Sequence, residues 1–384
     1  MKFTIKRTTF NELLNQNKKL VNGRSSIPVL TGIKMDIEKG ILKLTTSNVD
    51  TTLTLSTDKA DDTEDGSGIV DMALLSRLIS GAISDKIMLN FDKDKTVCQV
   101  IDGENTYNLD AMDPTLYPRL PENDNTKQIK LSSMELHDLV DATVPFVSTD
   151  DTRPQCTGVH FIFKDKKATA QATDSHRLAQ KEISFDHDIA DADFILNPSD
   201  IKLVMSLAGE NSDITIQFGD GSQNILFMMS NAQMFVRQIT GRYVDFSRII
   251  PNFDAQKNRL IFDKAKLFAD IKQLSILDTW IDMQFTKDSN EVVFKAQGNK
   301  KVLGKFTCKL ESDLPAVYDM TVSLNPEYLL SILKVIKTDK TMISTSDRNL
   351  FPFNVWAYEV DNDEKNGKRD ESMVHVVTPI RTRY

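Results

Sequence analysis

The chain has 384 residues, with 47 Lys plus Arg against 55 Asp plus Glu and a formal net charge of -8. That length suits two to three domains, and the acidic balance argues against a generic nucleic-acid coat while leaving room for a local basic surface. No apolar run reaches the ~18 residues of a membrane span, and Cys98, Cys156 and Cys308, odd in number and far apart, read as thiols of a reducing cytosol rather than a disulfide set.

The chain opens directly on strand alternation at Phe3-Thr4-Ile5, without a signal-peptide core, so a cytoplasmic protein is expected. The spacing of Phe10, Leu13, Leu14, Leu20 and Val21 predicts a helix, with Gly23 placed to stop it. Val70-Asp71-Met72-Ala73-Leu74-Leu75 reads as a strand end, an N-cap and a second helix. The polar stretch Glu122 to Gln128 reads as a linker. Ile129-Lys130-Leu131 then repeats the opening strand, and Ser132 with Glu135 has capping-box spacing before Leu136, Leu139 and Val140. Gly158 to Phe163 and Gln223 to Met228 alternate as half-buried strands. Leu196-Asn197-Pro198 and Leu324-Asn325-Pro326 are N-cap and first-turn proline pairs. Leu260-Ile261-Phe262 is a third opening strand, and the charged run between Val360 and Met373 reads as an exposed loop.

These elements form a threefold repeat. Asp71 and Asn197 are 126 residues apart, Asn197 and Asn325 are 128 apart, and the closing prolines Pro121 and Pro251 are 130 apart. A period this long marks a repeated domain rather than a solenoid turn of roughly 20–50 residues. The predicted fold is α+β: three repeated domains, each with two helices packed on antiparallel sheets. The boundaries expected are 1-122, a linker at 123-128, 129-251 and 252-384.

Six helical windows (10–22, 72–83, 133–143, 198–208, 264–274 and 326–337) carry a summed charge of +2, against -10 for the remainder. The direction fits a helix-lined surface that holds phosphates without reading sequence, although window 133–143 runs against it at -3. Mixed, solvated helix faces explain the same count equally well.

The sharpest local motif is Ala172-Thr173-Asp174-Ser175-His176-Arg177-Leu178-Ala179. Asp174-Ser175 is turn chemistry and leaves His176 and Arg177 near a hairpin tip. Three adjacent residues cannot easily form a catalytic triad. There is no G-x-S-x-G elbow, no phosphate-binding G-x-x-x-x-G-K and no H-E-x-x-H, and the five histidines are scattered. No metal, cofactor or catalytic constellation is expected.

The 172–179 hairpin resembles that of the bacterial DNA polymerase III beta subunits, the replication sliding clamps. So do Arg24-Ser25-Ser26-Ile27-Pro28-Val29-Leu30, Asp151-Thr152-Arg153-Pro154, the segment from Arg242 to Pro251, and Val376-Val377-Thr378-Pro379-Ile380-Arg381. The resemblance implies a three-domain subunit that pairs head to tail with a second copy into a six-domain ring. Such a homodimer encircles duplex DNA and tethers a polymerase without catalysing anything. It also implies a pocket for short, Gln-Leu-x-Leu-Phe-like clamp-binding peptides from the polymerase III alpha subunit, the clamp loader, other polymerases and repair proteins. On this sequence the pocket falls on Cys156, Thr173, Ser175, His176, Arg177, Leu178, Val244, Ile249, Val376, Thr378, Pro379, Ile380 and Arg381. Arg24 is the implied DNA contact, with Lys18, Lys19 and Lys202 as helpers, and Tyr107, Leu109, Ile276 and Leu277 are the implied dimer joint.

The chain departs from the pattern in places. Cys156 stands where many relatives have leucine, Val244 replaces a proline, Arg153-Pro154 replace aromatic residues, Ser199-Asp200 stand where some relatives are basic, and the chain runs on through Thr382-Arg383-Tyr384. Two other readings stay open from the residues: an interaction scaffold that kept the fold without the DNA role, and a hydrolase using His176 and Asp174.

Overall fold

The computed structural model describes residues 1–21, 27–92, 94, 96–120, 126–298, 301–310, 316–360 and 367–381. The first copy runs β1 (Lys2–Lys6), α1 (Arg7–Lys18), β2 (Gly32–Glu38), β3 (Ile41–Ser47), β4 (Thr51–Thr57), β5 (Ala60–Glu64), β6 (Gly66–Asp71), α2 (Met72–Gly81), β7 (Lys86–Phe91), β8 (Val97–Asp102) and β9 (Asn105–Met112). The second runs β10 (Lys127–Ser132), α3 (Ser133–Thr143), β11 (Val159–Lys164), β12 (Lys167–Thr173), β13 (Arg177–Ser184), β14 (Ala192–Leu196), α4 (Pro198–Leu207), β15 (Asp213–Phe218), β16 (Asn224–Met228) and β17 (Ala232–Arg237). The third runs β18 (Asn258–Asp263), α5 (Lys264–Leu277), β19 (Ile281–Phe285), β20 (Glu291–Gly298), β21 (Lys301–Lys309), β22 (Met320–Leu324), α6 (Pro326–Val335), β23 (Lys340–Thr345), β24 (Phe353–Val360), β25 (Gly367–Arg369) and β26 (Met373–Val377).

Local chemistry sets the helix starts. Asp71 accepts from the Leu74 N–H at 2.7 Å, Asp263 from Lys266 at 2.7 Å and Asn325 from Glu327 at 2.9 Å. Each satisfies one donor that a helix N-terminus leaves open. The predicted capping box is present: Ser132 N–H donates to Glu135 Oε2 at 2.7 Å, and Glu135 N–H donates to Ser132 Oγ at 3.2 Å.

Boundaries differ from expectation in three places: β10 starts at Lys127, inside the stretch read as a linker, β25 lies inside the run read as a loop, and the first predicted helix stops early. The first helix ends at Lys18, so Leu20 and Val21 lie beyond it. The fully buried Asn17 explains the stop. Its amide donates to Leu13 O at 3.0 Å and its oxygen accepts from Thr46 at 3.0 Å, while Leu20 N–H closes a tight turn onto Asn17 O at 3.1 Å. Leu20 is still buried, which is why its spacing looked helical. Gly23, read as the stop, lies outside the described residues.

The chain divides into two compact units, Met1–Leu136 with Ser199–Gln238, and His137–Pro198 with Ile239–Tyr384. The middle copy is shared between them. The first unit holds a 13-stranded sheet in the order β10-β15-β16-β17-β4-β3-β2-β6-β9-β8-β7-β1-β5. The second holds β14-β11-β12-β13-β26-β24-β23-β18, with β25 on β24, and a separate sheet β21-β20-β19-β22. Helices cover the sheets through one apolar stripe each, as with Phe10, Leu13 and Leu14 of α1 or Leu267, Ile271 and Leu274 of α5.

The register repeats with the sequence. Phe3 faces Leu89, Ile129 faces Ile216 and Leu260 faces Ile343. Copies are joined by one antiparallel pair each time. β4 meets β17, with Leu53 opposite Met234, and β13 meets β26, with Ala179 opposite His375.

Candidate functional site

The 172–179 motif forms the tight hairpin its turn residues predict, with Thr173 opposite Leu178. Ser175 takes a positive φ of 77°, and Asp174 makes that turn hold. Its Oδ1 accepts from the His176 and Arg177 N–H groups, each at 3.0 Å, and its Oδ2 accepts from Arg177 Nε at 2.9 Å. Thr173 Oγ1 donates to Arg177 O at 2.8 Å and accepts from Ser175 N–H at 3.0 Å. Arg153 reaches across to Ser175 Oγ.

Arg177 wedges this hairpin against the third copy. Its guanidinium lies 5.1 Å from the Phe146 ring centroid and 5.2 Å from that of Tyr328. It donates to Ser331 Oγ and, at 3.2 Å, to Pro145 O. The His176 ring stacks on Tyr328 with centroids 5.8 Å apart. This geometry disposes of the hydrolase reading. Both oxygens of Asp174 serve the turn and Arg177, and the imidazole faces an aromatic ring rather than a nucleophile. Among the described residues no group of His, Cys, Asp and Glu is placed to hold a metal.

The C-terminal strand completes the floor. Leu178 pairs with Val376 and Arg177 with Val377, and Thr378 N–H donates to His176 O at 2.9 Å. Leu178, Val376 and Pro379 are buried, Ile380 is half-buried, and Thr378 and Arg381 are exposed. Cys156 is buried too, and burial pushes its thiol above the ordinary value. It therefore sits as a small apolar residue rather than a reactive one.

The segment after β17 straps across the sheet. Tyr243 and Phe246 are its anchors, buried with Leu178, Trp356, Val374 and Val376 in one cluster. Asp245 caps the short turn at Phe246–Arg248 by accepting from Ser247 N–H at 3.1 Å. Between these anchors Val244 and Ile249 stand 37% and 38% exposed. One flank of the strap borders a cavity of about 960 Å³ that Val244, Tyr243, Phe246, Gln171, Gln180 and Trp356 help to line. The predicted residues therefore divide into a buried floor, two exposed apolar residues and a polar hairpin. Apolar anchors beside fixed polar groups suit a short extended peptide.

Sequence reasoning missed Tyr328, Ser331 and Phe146, which hold Arg177 and His176 in place. Tyr328 lies two residues after the repeated Leu324-Asn325-Pro326 motif, but nothing local says that its ring meets His176. It also missed Leu350 and Phe351, exposed apolar residues just before Phe353, whose partner is Val377.

The remaining predicted residues lie elsewhere. Lys18 and Lys19 are exposed at the end of α1, Lys202 is exposed on α4, and Lys19 Nζ donates to Ser206 Oγ of α4 at 3.2 Å. Asp200, one of the two departures at the start of α4, is turned inward. Thr51 Oγ1 donates to it at 3.0 Å, and burial pushes its carboxyl above the ordinary value. Arg24 lies outside the described residues. Tyr107, Ile276 and Leu277 are exposed, whereas Leu109 is buried in its own unit.

The profile described as DNA polymerase III beta subunit, N-terminal domain, matches residues 1–121, and that of the central domain matches residues 130–245. A beta sliding clamp of Staphylococcus epidermidis is 26% identical over 401 residues, and one of Staphylococcus aureus is 27% identical over 397, each alignment covering 100% of both chains. The crystal structure of the DNA polymerase sliding clamp from Bacillus subtilis is similar in fold, with a TM-score of 0.87 at 23% identity over 100% of both chains.

Proposed function

This chain belongs to the family of bacterial DNA polymerase III beta subunits, the replication sliding clamps, and from that premise we propose that it acts as a closed ring of two copies around duplex DNA. The ring is a cytoplasmic, non-catalytic tether. Once it holds a polymerase on the duplex, each re-binding event is intramolecular.

The observation that carries this reading is the repeated joint. The first copy meets the second through β4 and β17, and the second meets the third through β13 and β26. The equivalent strands left over are β21, at the end of its sheet, and β9, which meets β6 only through Ala111 and Met112. A head-to-tail contact that reuses the same joint either closes or makes a fibre, and two copies of three domains close it in the family. Lys18, Lys19 and Lys202 then serve as phosphate contacts, with Arg24 beside them. The inward turn of Asp200 removes the objection that α4 opens on an acidic residue. The hairpin, strap and C-terminal strand supply the peptide site for the polymerase III alpha subunit, the clamp loader and other clamp-binding proteins.

The test is topological. Loaded by a clamp loader and ATP onto a nicked circular duplex, the protein should stay with the circle through gel filtration at high salt and come off when the circle is cut. Electrostatic binding alone weakens steeply with salt. Loss to salt on the intact circle, or indifference to cutting, sinks the ring.

A further inference from the structure

We propose that His160 is a positioning residue for the peptide site: as an imidazolium held by Asp193 and Gln171 it seats Tyr243, and the strap then presents Val244, so that peptide affinity follows the proton on His160. This rests on the peptide-site reading above and extends it to a side chain outside the pocket.

His160 lies on the sheet face that the strap crosses. Cross-strand partners share a face, and they run from His160 to Gln171, from Gln171 to Gln180 and from Gln180 to Val374. Val374 is buried with Tyr243 and Phe246 of the strap. The first three side chains form one hydrogen-bonded chain. His160 Nε2 stands 2.7 Å from Asp193 Oδ1, and its Nδ1 stands 3.2 Å from Gln171 Oε1. Gln171 Nε2 donates to Gln180 Oε1 at 2.8 Å.

That chain assigns the proton. Gln171 gives its amide nitrogen to Gln180 and so turns an oxygen to His160, and Asp193 offers oxygen alone. An imidazole facing an acceptor at each nitrogen satisfies both only when both carry N–H, as the imidazolium. A neutral ring leaves one nitrogen bare. Bare at Nε2, it meets the Asp193 carboxylate lone pair to lone pair. Bare at Nδ1, it needs an N–H from Gln171. That amide then turns over, its oxygen meets Gln180 Oε1, and Gln180 must turn as well. The cavity of about 960 Å³ beside these side chains gives both amides room to turn. Deprotonation is thereby passed across β12 and β13 to the floor on which the strap rests.

Tyr243 sits where that proton is felt. Its ring centroid is 4.6 Å from that of His160, with the planes 31° apart, and Tyr243 is 9% exposed. A cation against an aromatic face adds attraction that a neutral imidazole lacks. The next residue along the strap is Val244, one of the two exposed apolar side chains that the strap offers a peptide. The titratable side chains against His160 are Asp193 from β14 and Tyr243 from the strap, with Arg242 and Asp245 exposed around the same cavity. Burial holds the Tyr243 hydroxyl above its ordinary value, and histidine is the side chain that changes charge nearest neutral pH.

The test is the pH profile of peptide affinity, measured by calorimetric titration with an acetylated, amidated Gln-Leu-Ser-Leu-Phe peptide that has no titrating group. The dissociation constant of the wild type should rise about fivefold between about pH 5.5 and about pH 8.5. His160→Phe keeps a ring against Tyr243 without the charge, and its profile should lose that rise. Asp193→Asn keeps an acceptor at an exposed position and removes the counter-charge, so the midpoint should move to lower pH by about half a unit. A residue that only props up the fold would weaken binding equally at every pH. A rise that survives in His160→Phe traces to another group, such as His176, and overturns the proposal. So does an unmoved midpoint in Asp193→Asn, which decides the matter should His160→Phe not fold. A wild type that binds the peptide at no pH sinks the peptide-site reading itself. A wild type that binds equally at every pH sinks only the role of His160.

Discussion

The chain joins its copies twice with the same strand pairing, and the two joints are made of opposite materials. At the first, between β4 and β17, Leu53, Leu55, Met234 and Val236 are buried. The hydroxyls of β4 are satisfied away from β17: Thr54 lies 3.0 Å from Thr45 and Thr52 lies 2.9 Å from Ser47, both on β3, and Thr51 donates to Asp200. At the second, between β13 and β26, the corresponding buried place holds His375, neither of whose ring nitrogens has a hydrogen-bond partner. Beside it Arg177 is wedged between Phe146 and Tyr328. The first joint is glue. The second carries a polar, partly unsatisfied interior on the Phe146 side of its sheet, with Leu178 and Val376 buried against the strap on the other side, and it is the second that carries the candidate peptide site. The shared strand geometry does not decide which joint binds; the side chains laid on it do.

The largest effect should come from breaking the glue. Met234→Ala leaves a cavity at a fully buried position. It should lower stability to urea by about 2–5 kcal/mol while peptide affinity stays within about twofold. A parallel fall in peptide affinity would mean that the two joints are coupled and the contrast between them is false.

Next in size is the hairpin of the second joint. Asp174→Ala removes the acceptor of two backbone N–H groups and strands the shielded Arg177. Losing one partner of such a pair should cost about 2–4 kcal/mol. Here peptide binding should fall as well, because His176 loses its place on Tyr328. Calorimetric titration with a Gln-Leu-x-Leu-Phe peptide that finds full affinity would detach the hairpin from the site.

How much of this was legible beforehand depended on how local the cause was. The caps at Asp71, Ser132 and Asn325 and the Asp174-Ser175 turn were readable because each is settled within about four residues. The repeat was readable because strand and helix periods recur with it. The end of α1 was not, since Asn17 stops it only by reaching Thr46 in another strand. Nor was the harmlessness of Asp200, which depends on Thr51, or the support of Arg177 by Phe146 and Tyr328. The resemblance named the pocket's residues but not their burial: Leu178, Val376 and Cys156 are floor, while Val244 and Ile249, with half-buried Ile380, offer apolar surface.

A smaller effect separates the joints by pH. Burial lowers the His375 pKa from 6.5 to about 3, with Arg177 pushing the same way and the backbone of Ala142 and Val355 opposing without reaching hydrogen-bond geometry. The folded chain keeps this ring neutral, whereas the unfolded chain protonates it below pH 6.5. The stability at stake is therefore fully present above that pH and is lost as pH falls toward 3, at about 1.4 kcal/mol per unit. Between pH 6.5 and 5 the loss should reach about 2 kcal/mol. His375→Phe, which preserves a ring against Phe146, should flatten that stretch of the profile. Identical slopes for the variant and the wild type would show that His375 is not the group that titrates.

The smallest effect compares two Arg–Asp pairs, one spanning the first joint and one within the hairpin of the second. In the first joint Arg237 and Asp50 stand 3.5 Å apart with side chains 49% and 67% exposed. In the second, Arg177 and Asp174 stand 2.9 Å apart at 16% and 18%. Water and salt screen the first pair, and holding two long side chains offsets most of its attraction. Asp50→Asn also keeps the backbone bond from Arg237 N–H to residue 50 O at 2.9 Å. The substitution should therefore change stability by no more than about 0.5 kcal/mol, and less still at high salt. A salt-insensitive loss comparable to that of Asp174→Ala would mean that the first joint also depends on a charge, and that burial rather than the choice of residue had been misjudged as the difference between the two.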